Sequence, residues 1–414
     1  MSALAPSAPG TPTLRDDAVL MALVGLAHSV SHFSQLLLAP LFPWLKQAFD
    51  VSYAELGLLM SIFFVISCIV QTLSGFVVDR FGPRPVLFGG LTLLALAAFG
   101  FAASQSYWML ALFSVVAGTG NGVFHPVDYT LLNRKITQAR LGHAFSVHGI
   151  TGSLGWAMAP AMLVPLTIAF DWRVALVCAG MLTSSVLAVI WFNRNRLVIE
   201  TVRPADGATR QGVRHTDDGL DFLKIPAVWV CFAFFFFYAV ALSGVQSFAP
   251  EAARLLHGVP AQLAAICLTV YMVCSACGMV LGGFLAADPA RCERIVGAAF
   301  CVAAVIALVL GFADIAAASV PILFGAMGFS AGIAGPSRDL IVKRSAPDNA
   351  TGRVYGVVYS GLDIGQAVAP LGFGTLMDWQ RPSDVWLGIA IAQAALIVSA
   401  FNVGRARRTV LATT

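Results

Sequence analysis

Apolar stretches of about 20 residues recur along the whole chain, and they constrain its fold more than any other feature. A helical stretch of this length crosses a hydrocarbon core of about 30 Å, because each residue adds about 1.5 Å. In lipid, backbone N–H and C=O groups find no water, so each segment must satisfy them internally as a helix. The sequence therefore predicts an all-α membrane protein with twelve transmembrane helices. We place them at 19–43, 55–78, 85–104, 108–132, 142–166, 172–193, 226–249, 262–286, 294–312, 319–341, 354–377 and 384–403.

The composition excludes an ordinary soluble domain. Of the 414 residues, 58% are hydrophobic, and the mean hydropathy is +0.82. Asp, Glu, Lys and Arg together make up 11% of the chain, less than half of the roughly 25% that is usual in soluble domains. We therefore expect the lipid bilayer to surround most of this protein.

The distribution of basic residues between the loops indicates an orientation. Most of the 25 Lys and Arg residues fall in loops on the same side as the two termini. The loops on the other side hold only Lys46, Arg173, Arg254 and Arg381. Because Lys and Arg are retained in the cytoplasm, we expect a protein of the cytoplasmic (inner) membrane with both termini inside. The same bias explains the net charge of +4 without a nucleic-acid partner.

The chain divides into two similar halves. At an offset of 210 residues, 118–160 aligns with 328–370 without a gap, and ten of the 43 positions are identical, mostly Gly and Pro. Such matches record backbone shape. Both copies keep a GxxxG motif, which lets membrane helices approach closely. Two parallel six-helix repeats are the architecture of an alternating-access carrier, whose substrate path lies between them.

This repeat sets the predicted domain boundaries. We expect six-helix halves at 19–193 and 226–403, joined by a polar cytoplasmic linker at 194–225. A leader at 1–18 and a tail at 404–414 would flank them in the cytoplasm. The first segment is too continuous with the rest to be a cleaved signal peptide.

The loop after the second segment carries a recognisable motif. It reads GFVVDRFGPR, and its shared positions are Gly75, Asp79, Arg80, Gly82 and Arg84. The motif resembles the loop 2-3 signature of the major facilitator superfamily, with Pro83 where a basic residue is usual. An aspartate at a helix end can bind the N-terminus of an opposing helix through its dipole. The resemblance implies that this loop latches the cytoplasmic side shut in the outward-open state.

Two further motifs, NGVFHP at 121–126 and GITGSLGWAMAP at 149–160, resemble the fosmidomycin resistance branch of that superfamily. The resemblance implies proton-coupled drug export. That branch tends to carry a histidine in its first helix and an acid four residues later, whereas this chain has His28 and then His32. The fifth segment also lacks the adjacent Gly-Pro of the antiporter signature.

Ionisable residues inside the apolar segments are the candidate site, because charges inserted in a membrane cost about 2.5–3.5 kcal/mol each and usually face a cavity or each other. His28, His125 and Asp363 lie roughly 14–15 Å from the inner ends of their helices, near the midplane where carriers bind solutes. His32 lies one turn further out. The predicted substrate-binding or proton-coupling residues are His28, His32, His125, Asp128, His148, Arg338, Asp339 and Asp363.

Asp128 and Arg338 occupy the same repeat position, since they are 210 residues apart. Opposite charges at symmetry-related positions could pair across the interface when the inner side closes, so we predict a gate latch. Arg338 could instead grip an anionic substrate with its guanidinium group, or the charges could belong to a structural pair within one half. His148 and Asp339 complete this predicted network, with packing and a local salt bridge as their alternatives.

His28 and His32 share a helix face, because residues at i and i+4 point the same way. They could be structural, or they could bind a metal, although no Cys or carboxylate cluster accompanies them on their helix. We favour proton-titrating or anion-binding groups, because imidazole gains and loses a proton near neutral pH. The predicted coupling set is His28, His32 and His125 with Asp363, without a metal or cofactor.

These features predict a proton-coupled secondary transporter of a small anionic or zwitterionic solute. The proton gradient would supply the energy, and we expect a monomer. Export is preferred on the resemblance, while an organic-acid uptake symporter and a multidrug antiporter remain open. A membrane-embedded enzyme or a receptor is the alternative class. No Ser/His/Asp, HExxH or Walker-type arrangement supports an enzyme.

Overall fold

The computed structural model describes residues 13–199, 226–286, 291–345 and 351–413. Within these ranges the chain forms long helices and no strand. The first half contains α1 (Leu14–Gln35), α2 (Tyr53–Phe81), α3 (Pro83–Ala103), α4 (Tyr107–Asn121 and Phe124–Lys135), α5 (Leu141–Ala169) and α6 (Trp172–Phe192). The second half contains α7 (Pro226–Ser247), α8 (Ala261–Leu285), α9 (Cys292–Phe312), α10 (Val320–Ser345), α11 (Thr351–Asp378) and α12 (Pro382–Thr413).

These helices match the twelve predicted segments in order. Eleven stretches of the described residues are long and apolar enough to cross a membrane, and α11 is the twelfth helix of the bundle. The predicted all-α membrane fold of two six-helix repeats is therefore confirmed.

The helix ends differ from the predicted boundaries for local reasons. The first helix begins at Leu14, inside the predicted leader, because Thr13 and Asp16 form a capping box that satisfies its first N–H groups. The last helix runs to Thr413, through the predicted tail. Of the predicted linker, Arg194–Leu197 forms a short 3₁₀ helix, and 200–225 lies outside the described residues.

The GxxxG motifs hold each half together. A Cβ on Gly118 or Gly122 would lie 2.5 Å from a backbone oxygen of α2. In the second half, a Cβ on Gly328 or Gly332 would overlap the carbonyl oxygens of Tyr271 and Ser275 in α8. The repeat therefore uses its paired glycines as the sequence predicts, to bring α4 onto α2 and α10 onto α8 without side chains between the backbones.

The halves meet along two helix pairs, α2 with α11 and α5 with α8. We call the face that carries Leu14 and the end of α12 the terminus side, and the other face the opposite side. On the opposite side, α2 and α11 touch through their backbones, since a Cβ on Gly57 would overlap the carbonyl oxygen of Pro370. Deeper along this contact, the Ser61 hydroxyl donates a hydrogen bond to the Ala367 carbonyl.

Asp378, at the last residue of α11, ties the opposite side together. Its carboxylate accepts hydrogen bonds from the backbone N–H groups of Tyr53 and Ala54, the first two residues of α2, both at 2.8 Å. Lys46 Nζ lies 3.9 Å from the same carboxylate. A second contact between the halves joins the Tyr53 hydroxyl to Glu251 at 2.9 Å. A carboxylate interacts favourably with the positive end of the helix dipole at a helix N-terminus. Asp378 therefore acts as a latch between the halves.

On the terminus side, the end of α2 and the first turns of α5 are exposed. Asp79 and Arg80 at the end of α2 are exposed, and a Cβ on Gly142 or Gly149 of α5 would meet nothing within 4 Å. The turn from α2 to α3 passes through Gly82 at φ 82°, a conformation that favours glycine. Pro83 then begins α3, where its missing N–H has no intrahelical partner to lose.

Replacing Gly332 by Val should destabilise the protein, because the new side chain would force α10 away from α8. Overpacking of this kind typically costs about 1–3 kcal/mol. Thermal unfolding of the detergent-purified protein measures the effect. Gly283→Val is the matched control, since a Cβ there would meet nothing within 4 Å. Equal unfolding temperatures for the two variants would show that the glycine contact is dispensable.

Replacing Asp378 by Ala should open the opposite side. Loss of a carboxylate from a helix N-terminus costs up to about 2 kcal/mol. A change of this size shifts the equilibrium between the conformations closed and open on the opposite side roughly thirtyfold. The measurement is the labelling rate of Ser61→Cys by a soluble maleimide, in purified protein without the eight native cysteines.

The control for this experiment is Asp384→Ala, which removes an acid that pairs with Arg381 in the same half. We expect faster labelling only in the Asp378 variant. An unchanged labelling rate would mean that Asp378 does not hold the halves together.

Candidate functional site

Three helices bring the predicted ionisable residues of the first half together at mid-depth. His28 and His32 come from α1, His125 and Asp128 from the second part of α4, and His148 from α5. The two-residue break between Asn121 and Phe124 starts a new helical segment. His125 and Asp128 lie three residues apart in that segment, and therefore share a face. We call these five residues the histidine cluster.

Asp128 is the centre of the histidine cluster. Its side chain is fully buried. Its Oδ2 atom accepts a hydrogen bond from His148 Nε2 at 3.1 Å and lies 3.1 Å from His28 Nδ1. The other oxygen, Oδ1, has no hydrogen-bond partner. The contact of His28 Nδ1 with Oδ2 is close but is not a hydrogen bond. A buried carboxylate requires compensating groups, and two imidazoles supply them.

The imidazole rings pack against one another. His28 stacks on His148 with ring centroids 3.5 Å apart, and His32 follows 4.4 Å from His28. The indole of Trp156 covers His32 at 4.2 Å. The cluster is buried on the α1 side, while Tyr129, which is 42% exposed, contacts the rings of His125 and His148. The cluster therefore has one accessible edge.

Gln71 of α2 connects the histidine cluster to the other half. Its Oε1 accepts a hydrogen bond from His125 Nδ1 at 3.0 Å, and its Nε2 donates to Asp363 Oδ2 of α11 at 3.3 Å. The thiol of Cys68 also faces Asp363. Because Gln71 accepts from Nδ1, Nε2 of His125 is the nitrogen that stays available. His125, Gln71 and Asp363 thus form one chain of contacts across the two halves.

A row of neutral polar groups continues from the cluster toward the opposite side. Gln35 accepts a hydrogen bond from the Trp156 indole at 2.9 Å and donates to Asn121 at 3.4 Å. Asn121 also accepts from Ser31 at 2.7 Å and donates to Ser67 at 2.8 Å. These amides and hydroxyls satisfy one another, so they position α1, α2 and α4 around the histidines.

The second half presents Arg338 on α10. Its guanidinium lies over the rings of Tyr238 at 4.6 Å and Phe235 at 5.6 Å, both from α7. The predicted partner Asp128 is held instead by His28 and His148 in this state. The pairing of Asp128 with Arg338 was predicted for the state with a closed inner side, and it stays a prediction. Asp339 follows in α10, and its side chain lies outside the described residues.

The structure thus gathers His28, His32, His125, Asp128 and His148 into one cluster and links it to Asp363. Sequence reasoning missed Gln71, which makes this link, and Asn121 as a polar hub. Both are amides inside apolar helices, and that is the signal that could have found them. Amides carry no charge, so a search for ionisable residues passes over them.

Comparison with known proteins gives the family. The model of the Major Facilitator Superfamily matches residues 24–370. The fosmidomycin resistance protein of Escherichia coli (strain K12) is 26% identical over 167 residues, which cover 38% of this chain and 39% of that relative. The hexuronate transporter of Bacillus subtilis (strain 168) is 24% identical over 181 residues, which cover 43% of this chain and 42% of that relative. The matches therefore span about two fifths of these curated relatives.

A solved structure matches nearly the whole fold. It is a bacterial homolog of the human lysosomal transporter Spinster, in an inward-facing and occupied conformation. It aligns with a TM-score of 0.75 at 15% identity and covers 97% of this chain and 98% of that chain. The family model spans most of both six-helix halves, and this chain is a multi-pass membrane protein that belongs to the Major Facilitator Superfamily.

Proposed function

We propose that this protein carries a small anionic or zwitterionic organic solute by alternating access, coupled to protons. The observation that carries the proposal is the position of the histidine cluster. It lies at mid-depth, beside the interface between the halves, which Asp378 joins on the opposite side. We infer that a solute reaches the cluster from the terminus side, because the exposed ring of Tyr129 adjoins the accessible edge there. The bias of basic residues supports a cytoplasmic terminus side, and thus an inward-facing state in the cytoplasmic membrane.

The charges around the path favour an anion. Imidazoles on one half and the Arg338 guanidinium on the other are donors that suit carboxylate or phosphonate groups. Acids are few, and Asp128 is occupied by two histidines. The hexuronate transporter among the relatives supports an organic acid. The relative named for fosmidomycin resistance supports export, with uptake as the alternative direction.

We assign the coupling proton to Asp363. This carboxylate lies between the halves, where Cys68 and Gln71 of α2 face it. Protonation would remove the negative charge that accepts the Gln71 hydrogen bond, and would therefore loosen the contact between α2 and α11. The same Gln71 holds His125, so solute at the cluster and the proton at Asp363 would be thermodynamically linked.

Replacing His28 by Ala should abolish or decouple transport while the protein stays folded. The side chain contacts Asp128, His32 and His148, so its removal disrupts the whole cluster without touching the helix backbone. Solute uptake into proteoliposomes and thermal unfolding are measured together. His143→Ala is the control, because His143 is an exposed histidine near the start of α5. Normal, pH-dependent transport in both His28→Ala and His32→Ala would make them packing residues.

Replacing Asp363 by Asn should separate solute movement from proton movement. The amide cannot exchange a proton, so solute-dependent pH change inside proteoliposomes should disappear, while exchange of solute for solute continues. Organic acids, phosphonates and drugs are tested in turn with the wild-type protein first, and the sign of its pH change gives the direction.

The control is Asp314→Asn, at an exposed loop acid. A pH change of wild-type size in the Asp363 variant would exclude it as the proton carrier. A wild-type protein that moves no protons with any of these solutes would overturn the coupled mechanism.

A further inference from the structure

We propose that His28, His32 and His125 form a binding site for a divalent transition-metal ion of the Zn²⁺ class. This goes beyond the proposed function, because the site would exist whatever the organic solute is. The sequence placed only two histidines on one helix and no further ligand beside them. The fold brings His125 from α4 next to His28 and His32.

The positions of the nitrogens support the site. One ring nitrogen from each of the three histidines lies within 4.8 Å of the others. Tetrahedral Zn²⁺ with Zn–N bonds of about 2.0–2.1 Å sets its ligand nitrogens about 3.4 Å apart. The rings would therefore close by little more than about 1 Å around an ion. Side-chain rotation can supply a movement of that size.

Gly152 of α5 leaves the space in which two of these nitrogens converge. A Cβ at this position would lie 3.0 Å from His28 Nε2 and 2.9 Å from His32 Nδ1. His32 is 9% exposed, and its Nδ1 has no hydrogen-bond partner. A buried imidazole nitrogen without a partner is unfavourable in a satisfied interior, and a metal ion would use it as a ligand.

The outer contacts of His28 and His125 resemble those of a metal site. Metal-binding histidines usually direct their second nitrogen to a carboxylate or a carbonyl group, which orients the ring. Here Asp128 Oδ2 lies 3.1 Å from His28 Nδ1, although the two form no hydrogen bond in this state, and the Gln71 carbonyl oxygen accepts a hydrogen bond from His125 Nδ1 at 3.0 Å. Both contacts use Nδ1, so both Nε2 atoms are left for an ion.

The charge of the cluster also fits a cation. Asp128 is a fully buried carboxylate whose Oδ1 has no partner. A divalent ion one imidazole away would compensate this charge. His28, Asp128 and His148 form a second group with metal-compatible spacing, but all three are buried, and Asp128 Oδ2 already accepts from His148. The first group includes His125, which is only partly buried and adjoins the accessible edge.

Three neutral imidazoles suit Zn²⁺, Co²⁺, Ni²⁺ or Cu²⁺ and not Mg²⁺ or Ca²⁺, which prefer oxygen ligands. Three protein ligands leave a fourth position open on the ion. The ion could be resident and hold an anionic solute at that position, or it could be cargo. Both uses require the same chemistry of binding.

Titration of the purified, full-length protein with Zn²⁺ or Co²⁺ tests the site. We expect saturable binding of one ion per chain by calorimetry, and visible absorption bands of tetrahedral Co²⁺. His32→Ala should weaken binding at least 100-fold. Asp128→Asn and Gln71→Leu should weaken it by about 10–100-fold, as losses behind metal ligands do. The control His143→Ala should leave it unchanged, and Mg²⁺ should give no signal.

Thermal unfolding of each variant without metal shows whether it is folded. The proposal fails if the folded wild-type protein binds no Zn²⁺ saturably, or if folded His32→Ala binds it as tightly as wild type. Because no solute or proton gradient is used, this result is independent of the transport assays. Proteoliposomes then separate the two uses: cargo Zn²⁺ crosses the membrane, whereas a resident ion stays with the protein.

Discussion

Close approach of backbones at glycine is the contact on which the rest of this structure depends. Lipid tails are as apolar as the helix surfaces, so burial of apolar side chains does not by itself hold membrane helices together. Within each half, Gly122 lets α4 contact the backbone of α2, and Gly332 lets α10 contact the backbone of α8. Between the halves, Gly57 and Gly374 of α2 and α11 do the same on the opposite side. Such surfaces fit closely without interlocking side chains.

The same close packing makes the site possible. Gly155 lets α5 lie directly on the backbone of Ser29 in α1, and Gly152, one turn away, faces the rings of His28 and His32. Larger residues at these positions would separate the two helices and displace the imidazoles. Asp128 can then be fully buried, because His28 and His148 reach it from both helices. The placement of the charges is thus a consequence of where small residues allow contact.

The sequence predicts the fold well because its strongest signals are those that the membrane imposes. The lengths of the apolar segments give the helices, and the paired glycines at the 210-residue offset give the repeat. Depth counting along single helices places His28, His125 and Asp363 near the midplane. It says nothing about which helix faces which, so the contacts of Gln71 with both His125 and Asp363 appear only in three dimensions.

Repeat symmetry alone does not give the partners of individual charges in this state. The pair of Asp128 and Arg338 is predicted for the state with a closed inner side and stays a prediction. Here histidines surround Asp128, and Arg338 lies over Tyr238. The two halves share a backbone scaffold but differ in the chemistry they carry. Side-chain partners therefore follow from local neighbours that the other copy lacks, such as His148.

The antiparallel pair of α2 and α11 has an acid near one end of each helix: Asp79 lies in the last turn of α2 on the terminus side, and Asp378 ends α11 on the opposite side. Asp378 already holds the first turn of α2, and the loop motif implies that Asp79 would hold α11 when the bundle tilts the other way. Two bonds of the same kind would then form in turn, one in each conformation. If their strengths are similar, they would largely cancel, and a modest driving force would be enough to shift the bundle in either direction.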